Sequence, residues 1–210
     1  MTSRGKTAGV ARVMLAIIFV AGLVGSGCQT HRTIYVEIQH PPLDQAPVSY
    51  GTRLLVKPFV DQRENQEKLG QFEYMGSTID YFALPDVKVE EVLTLSIIDA
   101  LNAAGYKAEL MKNLPDAEKS GIAIVEGNVK EFSVSMQRHR TRCAIQLQML
   151  VRSPTTHLLS HGKLIVGEDE STLWTGAPAE YGGIAMRAME RLLKCAMADF
   201  ATTEFQNAIR

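Results

Sequence analysis

The sequence predicts an α+β fold, a two-layer sandwich in which two amphipathic helices cover a mostly antiparallel sheet. Two segments, 86–105 and 179–208, repeat apolar residues at the three- and four-residue spacing of a helix. Three consecutive segments, 122–137, 142–152 and 158–167, read as strands joined by short polar turns, which is typical of an antiparallel meander.

The first 27 residues have the composition of an export signal. Basic residues are followed by an apolar run from 13 to 24 and by the small residues Gly25, Ser26 and Gly27. As a helix this run is about 18 Å long, well short of the roughly 30 Å hydrocarbon core of a bilayer. We therefore predict a signal peptide over residues 1–27 and not a permanent membrane span.

Cys28 stands where a bacterial lipoprotein precursor carries its lipidated cysteine. Ser26 and Gly27 fit the lipobox pattern, whereas Gly25 replaces the usual leucine. We predict diacylglycerol and an N-acyl chain on Cys28, no other cofactor, and a lipid bilayer as the partner of the acylated N-terminus. Because Gln29 follows Cys28, we expect the protein to be anchored in the outer membrane with its domain facing the periplasm. An anchor in the inner membrane is the less favoured location. The alternative is an ordinary signal peptide with a chance cysteine.

Composition and the positions of the prolines divide the remaining chain into two parts. Without the signal, which holds three basic and no acidic residues, the formal net charge falls from −1 to −4, so no nucleic-acid partner is expected. Residues 28–50 contain three prolines and read as a lipidated N-terminus and tether, with a short edge strand from Thr33 to Ile38. Residues 51–210 read as a single α+β globular domain.

Local signals place the elements of that domain. Leu54 to Val60 reads as a strand that Pro58 limits to an edge or an end. Asp86 is a candidate N-cap of the first helix, which Gly105 closes, and a short strand from 106 to 111 follows. In the meander, the alternation changes phase between Val129 and Phe132, which predicts a β-bulge. The last helix is predicted as one segment; its apolar stripe comprises Ile184, Ala188, Leu192, Cys195, Ala196 and Phe200.

Two further cysteines, Cys143 and Cys195, are candidates for a disulfide. Both lie on predicted apolar faces, and an exported domain meets an oxidising compartment. A bridge requires the last helix to cover the strand of Cys143 at the same depth. The alternative, which we favour, is two small buried hydrophobic side chains.

Two regions are candidate partner-binding sites. The long connection from Asp61 to Leu84 mixes charged and aromatic residues, as interfaces do, and its candidates are Asp61, Arg63, Phe72, Tyr74 and Tyr81. The alternative is that its aromatics cover the open side of the sheet. The turn around 139 is basic, with candidates Arg138, Arg140 and Arg142, and antiparallel pairing would bring Arg142 opposite Glu168. That charged edge suits a protein partner or an anionic headgroup; the alternative is a set of exposed ion pairs.

Catalytic and metal-binding signatures are missing from the sequence. His157 and His161 have the spacing of a helical zinc pair, but Leu158 replaces the glutamate of that motif, and the segment reads as turn and strand. There is no nucleophile elbow, phosphate-binding loop or dinucleotide fingerprint. We predict no catalytic residues and no metal site.

The chain resembles the bacterial lipoprotein family typified by YajG. The resemblance rests on the signal with Cys28, the strand ending at 60–63, the helix closing at Gly105-Tyr106 and the C-terminal 204–210. The strand 55–61 also resembles the opening strand of TolB-N-like and ABC-transport auxiliary lipoproteins. These resemblances imply a non-catalytic envelope accessory protein that binds an envelope partner. The alternatives are an auxiliary lipoprotein of a lipid or glycan export system, which predicts an apolar groove between helix and sheet, and a periplasmic enzyme, which predicts a polar pocket.

Overall fold

A computed structural model of the chain describes residues 30–36, 38, 43, 50–73, 78–85, 87–112, 121–137, 140–173 and 177–210. The strands are β1 (Thr30–Tyr35), β2 (Arg53–Val56), β3 (Val60–Asp61), β4 (Gly70–Glu73), β5 (Thr78–Ala83), β6 (Lys107–Leu110), β7 (Ala123–Gln137), β8 (Arg140–Arg152) and β9 (Leu159–Thr172). The helices are α1 (Val89–Ala103), α2 (Pro178–Phe200) and α3 (Thr203–Ala208). The predicted signal peptide and Cys28 lie outside the described residues.

The main sheet has the strand order β6-β2-β7-β8-β9, and β3 pairs with β7. The long strands β7, β8 and β9 form the predicted antiparallel meander, whereas β2 and β3 pair in parallel with their neighbours. The register of β7 shifts between Val129 and Glu131, which confirms the predicted bulge. Helices α1 and α2 pack on this sheet, so the predicted α+β class is confirmed.

The predicted strand from Leu54 to Val60 is divided into β2 and β3 on either side of Pro58. Proline lacks an N–H group and therefore cannot continue a paired ladder. Beside it, the buried ring of Phe59 covers Gly127 so closely that a Cβ atom there would lie 2.6 Å from the ring. The N–H of Phe59 donates to Thr94 Oγ1 at 3.0 Å, which ties this crossing point to α1.

Helix α1 confirms the predicted apolar stripe. Leu93, Ile97 and Leu101 are fully buried against the sheet. The residue that precedes the helix is Lys88, which makes no side-chain cap; the predicted cap, Asp86, lies outside the described residues. After the helix, Gly105 adopts φ +94°, a conformation that glycine takes without steric cost.

The last helix was predicted as one segment, and that prediction is wrong. The structure ends α2 at Phe200 and starts α3 at Thr203. Thr202 makes the break, because its hydroxyl oxygen accepts from the N–H of Phe205 at 3.2 Å and its hydroxyl donates to the carbonyl of Asp199 at 2.7 Å. The stripe is buried as predicted except for Cys195, which is exposed.

A second, three-stranded sheet with the order β1-β5-β4 takes the place of much of the predicted long connection. Strand β1 is parallel to β5, and β4 is antiparallel to it. Leu69, just before β4, joins this sheet to the main one, because the N–H of Val134 donates to its carbonyl at 2.7 Å. Ile34 and Val36 are buried in the core, so the strand predicted within the tether is part of the folded domain.

Candidate partner-binding surface

The basic turn and the acidic run of β9 meet at one end of the main sheet, as predicted. Arg140 pairs with Glu170 at 3.3 Å, and Arg142 pairs with Glu168 at 2.7 Å. The register differs from the prediction by two residues. Arg152 pairs with Leu159 and not with Leu158, and an irregularity between Val151 and Arg152 adds one residue more, so Arg142 lies opposite Glu170 and diagonal to Glu168. All four side chains are largely exposed, so each pair contributes little to stability. Arg138 lies outside the described residues.

Asp61 and Arg63, predicted at a partner-binding loop, are instead buried and used internally. Their side chains are only 7% and 6% exposed. The Arg63 guanidinium donates to both carboxylate oxygens of Asp61, at 2.7 to 3.1 Å. It also donates to the carbonyls of Gln66, Lys68 and Phe132 at 3.0 to 3.2 Å. These contacts use all five N–H groups of the guanidinium, so the pair fastens the loop to β7 and leaves no group for a partner.

The aromatic candidates of the same region also face inward in part. Phe72 is partly buried against the core. Tyr81 is partly buried, and Lys68 Nζ lies 3.4 Å from the centroid of its ring. Tyr74 lies outside the described residues. Neighbouring Phe82 is fully buried against Tyr181 of α2, so Phe82 and Phe72 contribute to the core and not to an exposed interface.

Two buried carboxylates lie on the helix side of the sheet, and sequence reasoning missed both. Asp169, 5% exposed, accepts from Arg187 Nε and from Arg191 Nη2, each at 2.7 Å. The sequence signal for its burial is the two-residue spacing of Ile165, Gly167 and Asp169 along β9. Residues with this spacing face the same side of a strand, and Ile165 and Gly167 face the helix. The acidic run 168–170 was instead interpreted as solvated surface.

The second buried carboxylate, Asp199 on α2, is 2% exposed and accepts from His161 Nε2 at 2.9 Å and Lys163 Nζ at 2.8 Å. A carboxylate–imidazole pair is also a catalytic arrangement. Here, however, the adjacent hydroxyl of Ser160 donates to the carbonyls of Val151 and Ala208, at 3.0 and 3.1 Å. The cluster therefore fastens β9 to the C-terminal end of the chain.

His157 and His161 have different surroundings in the structure. His157 lies in the turn before β9 with φ +56°, whereas the imidazole of His161 is bound to Asp199. Among the described residues, no group of three or more His, Cys, Asp or Glu side chains is placed to hold a metal ion.

Cys143 and Cys195 are both free thiols, and no bridge joins them. Cys143 is fully buried within β8, whereas Cys195 is exposed on α2. Burial, with the charge of Asp169, raises the pKa of the Cys143 thiol to about 12, so this thiol is unreactive.

An apolar groove lies where β1 ends beside the start of α2, and sequence reasoning did not locate it. Its volume is about 550 Å³. The described lining residues are Tyr35, Ala177, Pro178, Ala179, Gly182, Gly183 and Met186. None of these is acidic or basic, and Tyr35 is 55% exposed at the rim. A Cβ atom on Gly183 would meet only Arg187 Nη1, at 3.6 Å, so the absence of a side chain at Gly183 leaves the groove open there.

Comparisons with known proteins show similarity of fold. No protein-family model matches the sequence, and no curated protein sequence matches it. A Xanthomonas campestris protein of the DUF330 family superposes with a TM-score of 0.51 at 13% identity, over 85% of this chain and 97% of that one. A neuraminyllactose-binding hemagglutinin homologue from Helicobacter pylori gives 0.47 at 10% identity over 82% and 97%. A Neisseria meningitidis lipoprotein gives 0.40 at 14% identity over 68% and 99%. The chain thus shares its fold with the DUF330 protein.

Within the part of the chain that the structure describes, no helix combines the length and the apolar character needed to span a bilayer.

Proposed function

We propose that this protein is an outer-membrane lipoprotein, anchored through acyl chains on Cys28, whose α+β domain binds another envelope protein as a non-catalytic accessory factor. The export signal over 1–27 and the cysteine that follows it support the anchor, and the resemblance to YajG-type lipoproteins agrees with it. Since β1 begins at Thr30, only Gln29 separates the acylated residue from the first strand. The domain is therefore held next to the membrane surface.

The observation that carries partner binding is the groove beside Tyr35. A half-exposed tyrosine at the rim of an apolar depression is the kind of anchor on which interface affinity concentrates. Met186 supplies an adaptable wall. We infer that an apolar side chain of the partner fills the groove. The exposed pairs of Arg140 and Arg142 with the acidic run of β9 supply a second, charged docking edge, which contributes orientation more than affinity.

A second candidate function is supported by the same groove. An auxiliary lipoprotein of a lipid or glycan export system needs an apolar site between helix and sheet. A volume of about 550 Å³ lies within the ~300–1,000 Å³ range of small-molecule sites. In that case the occupant is a lipid or glycan instead of a protein side chain. The apolar character of the lining favours these two functions over that of a periplasmic enzyme, because an enzyme requires titratable groups in its pocket.

The anchor is tested with Cys28→Ala. We expect the wild-type protein to fractionate with membranes and to show a triacylated intact mass, and the variant to lose both, since several acyl chains are needed for stable attachment. Cys195→Ser, which alters an exposed thiol elsewhere, is the matched control and keeps both. A soluble, unlipidated wild-type protein would show that Gly25 prevents lipoprotein processing.

The groove is tested by placing a photo-crosslinking amino acid at Tyr35 in intact membranes. We expect one predominant protein adduct, and we expect it to be lost when Gly183→Trp fills the groove. The same probe at Leu110, similarly exposed on the outer strand β6, is the control and should not give that adduct. An adduct with lipid or glycan favours the second candidate, and equal labelling from both positions contradicts a binding groove.

A further inference from the structure

Strand β9 forms a long outer edge of the main sheet and carries exposed apolar side chains. Leu164 and Val166 are 52% and 37% exposed. Natural sheets usually protect such edges with short strands, charges, prolines or bulges. The opposite edge follows this rule, because β6 has four residues and exposes Lys107 and Glu109. Between 161 and 167, β9 has no proline and its register against β8 is regular.

The hydrogen-bonding groups of this edge can be followed from the register. The N–H of Lys57 donates to the carbonyl of Val125 at 2.9 Å. The main-chain N–H and C=O groups of odd-numbered residues in the first half of β7 therefore point toward β2. In an antiparallel strand, the N–H and C=O groups of one residue point to the same side, and this side alternates from each residue to the next. The even-numbered residues in the first half of β7 therefore form their main-chain hydrogen bonds with β8. The same alternation across β8 makes Leu147 and Ile165 a hydrogen-bonded pair.

It follows that the main-chain groups of Leu164 and Val166 point away from β8. The next carbonyl on this side, that of Glu168, confirms the direction, because Arg191 Nη1 donates to it from α2. Within the described residues, nothing hydrogen-bonds to the outward N–H and C=O groups of Leu164 and Val166. Among the residues that the structure describes, the edge is therefore open over its apolar centre.

The charges of β9 do not oppose antiparallel pairing of two copies of this strand. With an axis at Ile165, Glu168 and Glu170 of one copy lie opposite Gly162 and Ser160 of the other, and Lys163 lies opposite Gly167 and diagonal to Asp169. Within one copy, Lys163 pairs with Asp199, Glu168 pairs with Arg142, and Asp169 pairs with Arg187 and Arg191. No two like charges of β9 therefore face each other across the axis.

We propose that two copies of this chain pair antiparallel through β9, about a two-fold axis at Ile165. Leu164 then faces Val166 of the partner subunit on the open side of the sheet, and each such pair exchanges two main-chain hydrogen bonds. The four exposed apolar side chains form one cluster, and the two main sheets become a single continuous sheet. This inference does not depend on the proposed lipidation or on the groove.

The first test is the mass of the full-length protein in detergent, by light scattering after size-exclusion chromatography. We expect a concentration-dependent dimer, and Leu164→Lys should weaken its association at least tenfold, because two added charges would meet at the two-fold axis. Leu110→Lys, on the opposite edge, is the matched control and should leave the dimer unchanged. A monomer at all concentrations, or equal loss in both variants, would overturn the proposal.

A second measurement detects the register directly. In the dimer, the amides of Leu164 and Val166 should exchange hydrogen more slowly as protein concentration rises, whereas those of β6 should not respond. A Leu164→Cys, Val166→Cys, Cys195→Ser variant should form a doubly bridged dimer on mild oxidation in membranes. Concentration-independent exchange at these two amides, or bridging only to a different envelope protein, would contradict pairing between copies.

Discussion

Arg63 shows how a charged residue in an apparently solvated run can be buried. The run 61–68 is almost entirely polar, so its sequence predicts an exposed loop. The structure instead closes it into a turn around one guanidinium, which satisfies Asp61 and three main-chain carbonyls. No local pattern indicates this, because the carbonyl of Phe132 comes from a strand far along the chain. A binding residue and a structural residue therefore looked alike in sequence.

At the residue scale, we predict that Arg63→Lys lowers the free energy of unfolding by about 1–3 kcal/mol, the cost of leaving a buried carbonyl without its hydrogen-bond donor. Lysine keeps the charge but has three donors instead of five, so carbonyls around it lose their partners. Urea titration measures the effect. Arg53→Lys is the control, because its pair with Glu109 is exposed, and it should change the value by less than ~1 kcal/mol. Equal effects would refute the structural role of Arg63.

Among the elements, those with long periodic patterns could be predicted and those fixed by distant contacts could not. The meander, its bulge and the stripe of α1 follow from alternation and helical spacing, which the packed sheet and helix require. The β4–β5 hairpin was missed because its strands are short and follow a charged run. The break at Thr202 has no glycine or proline to mark it, although a threonine before Glu204 is a recognisable cap.

Contact between α2 and β9 depends on Gly167. A Cβ atom at this position would lie 2.2 Å from the carbonyl oxygen of Ala188 and 2.7 Å from Leu192 Cβ. The first is a main-chain atom and the second belongs to a packed side chain, so neither can easily move aside. We predict that Gly167→Ala lowers the free energy of unfolding by ~1–3 kcal/mol, as overpacking does. Thermal unfolding followed by circular dichroism checks this.

The control on the same strand is Gly162→Ala. Its Cβ would meet only a methyl group of Leu150, at 3.3 Å, which can move aside. We expect this variant to unfold within a few degrees of wild type. If it were destabilised as strongly as Gly167→Ala, the loss would reflect glycine on a strand in general and not the approach of the helix.

For the whole molecule, the strand nearest to the predicted anchor is part of the core. Ile34 is 4% exposed and Val36 is fully buried, and both belong to the same cluster of buried residues as the main sheet. Detachment of β1 would therefore open the core. The sequence suggested a short strand within a tether, but its parallel partner β5 lay in a segment interpreted as a loop, so its share in the core could not be foreseen.

We predict that Ile34→Ala combined with Val36→Ala lowers the free energy of unfolding by about 4 kcal/mol or more, because each buried large-to-small change costs ~2–5 kcal/mol. Urea titration of the detergent-solubilised protein measures it. Thr33→Ala, an exposed position on the same strand, should have little effect. Near-wild-type stability of the double variant would mean that β1 is a peripheral attachment.

If the chain is exported as proposed, the parallel pairing of β1 with β5 has a consequence for the order of folding. A chain that crosses a membrane N-terminus first delivers Thr30 long before its partner Thr78, so β1 emerges with nothing to pair with. The meander, whose contacts are close in sequence, can form without it, whereas β1 must close a long loop first. For the proposed lipoprotein, we therefore expect Cys28 to stay accessible to processing enzymes until β1 pairs with β5, and the finished fold to fix β1 only after the enzymes have acted.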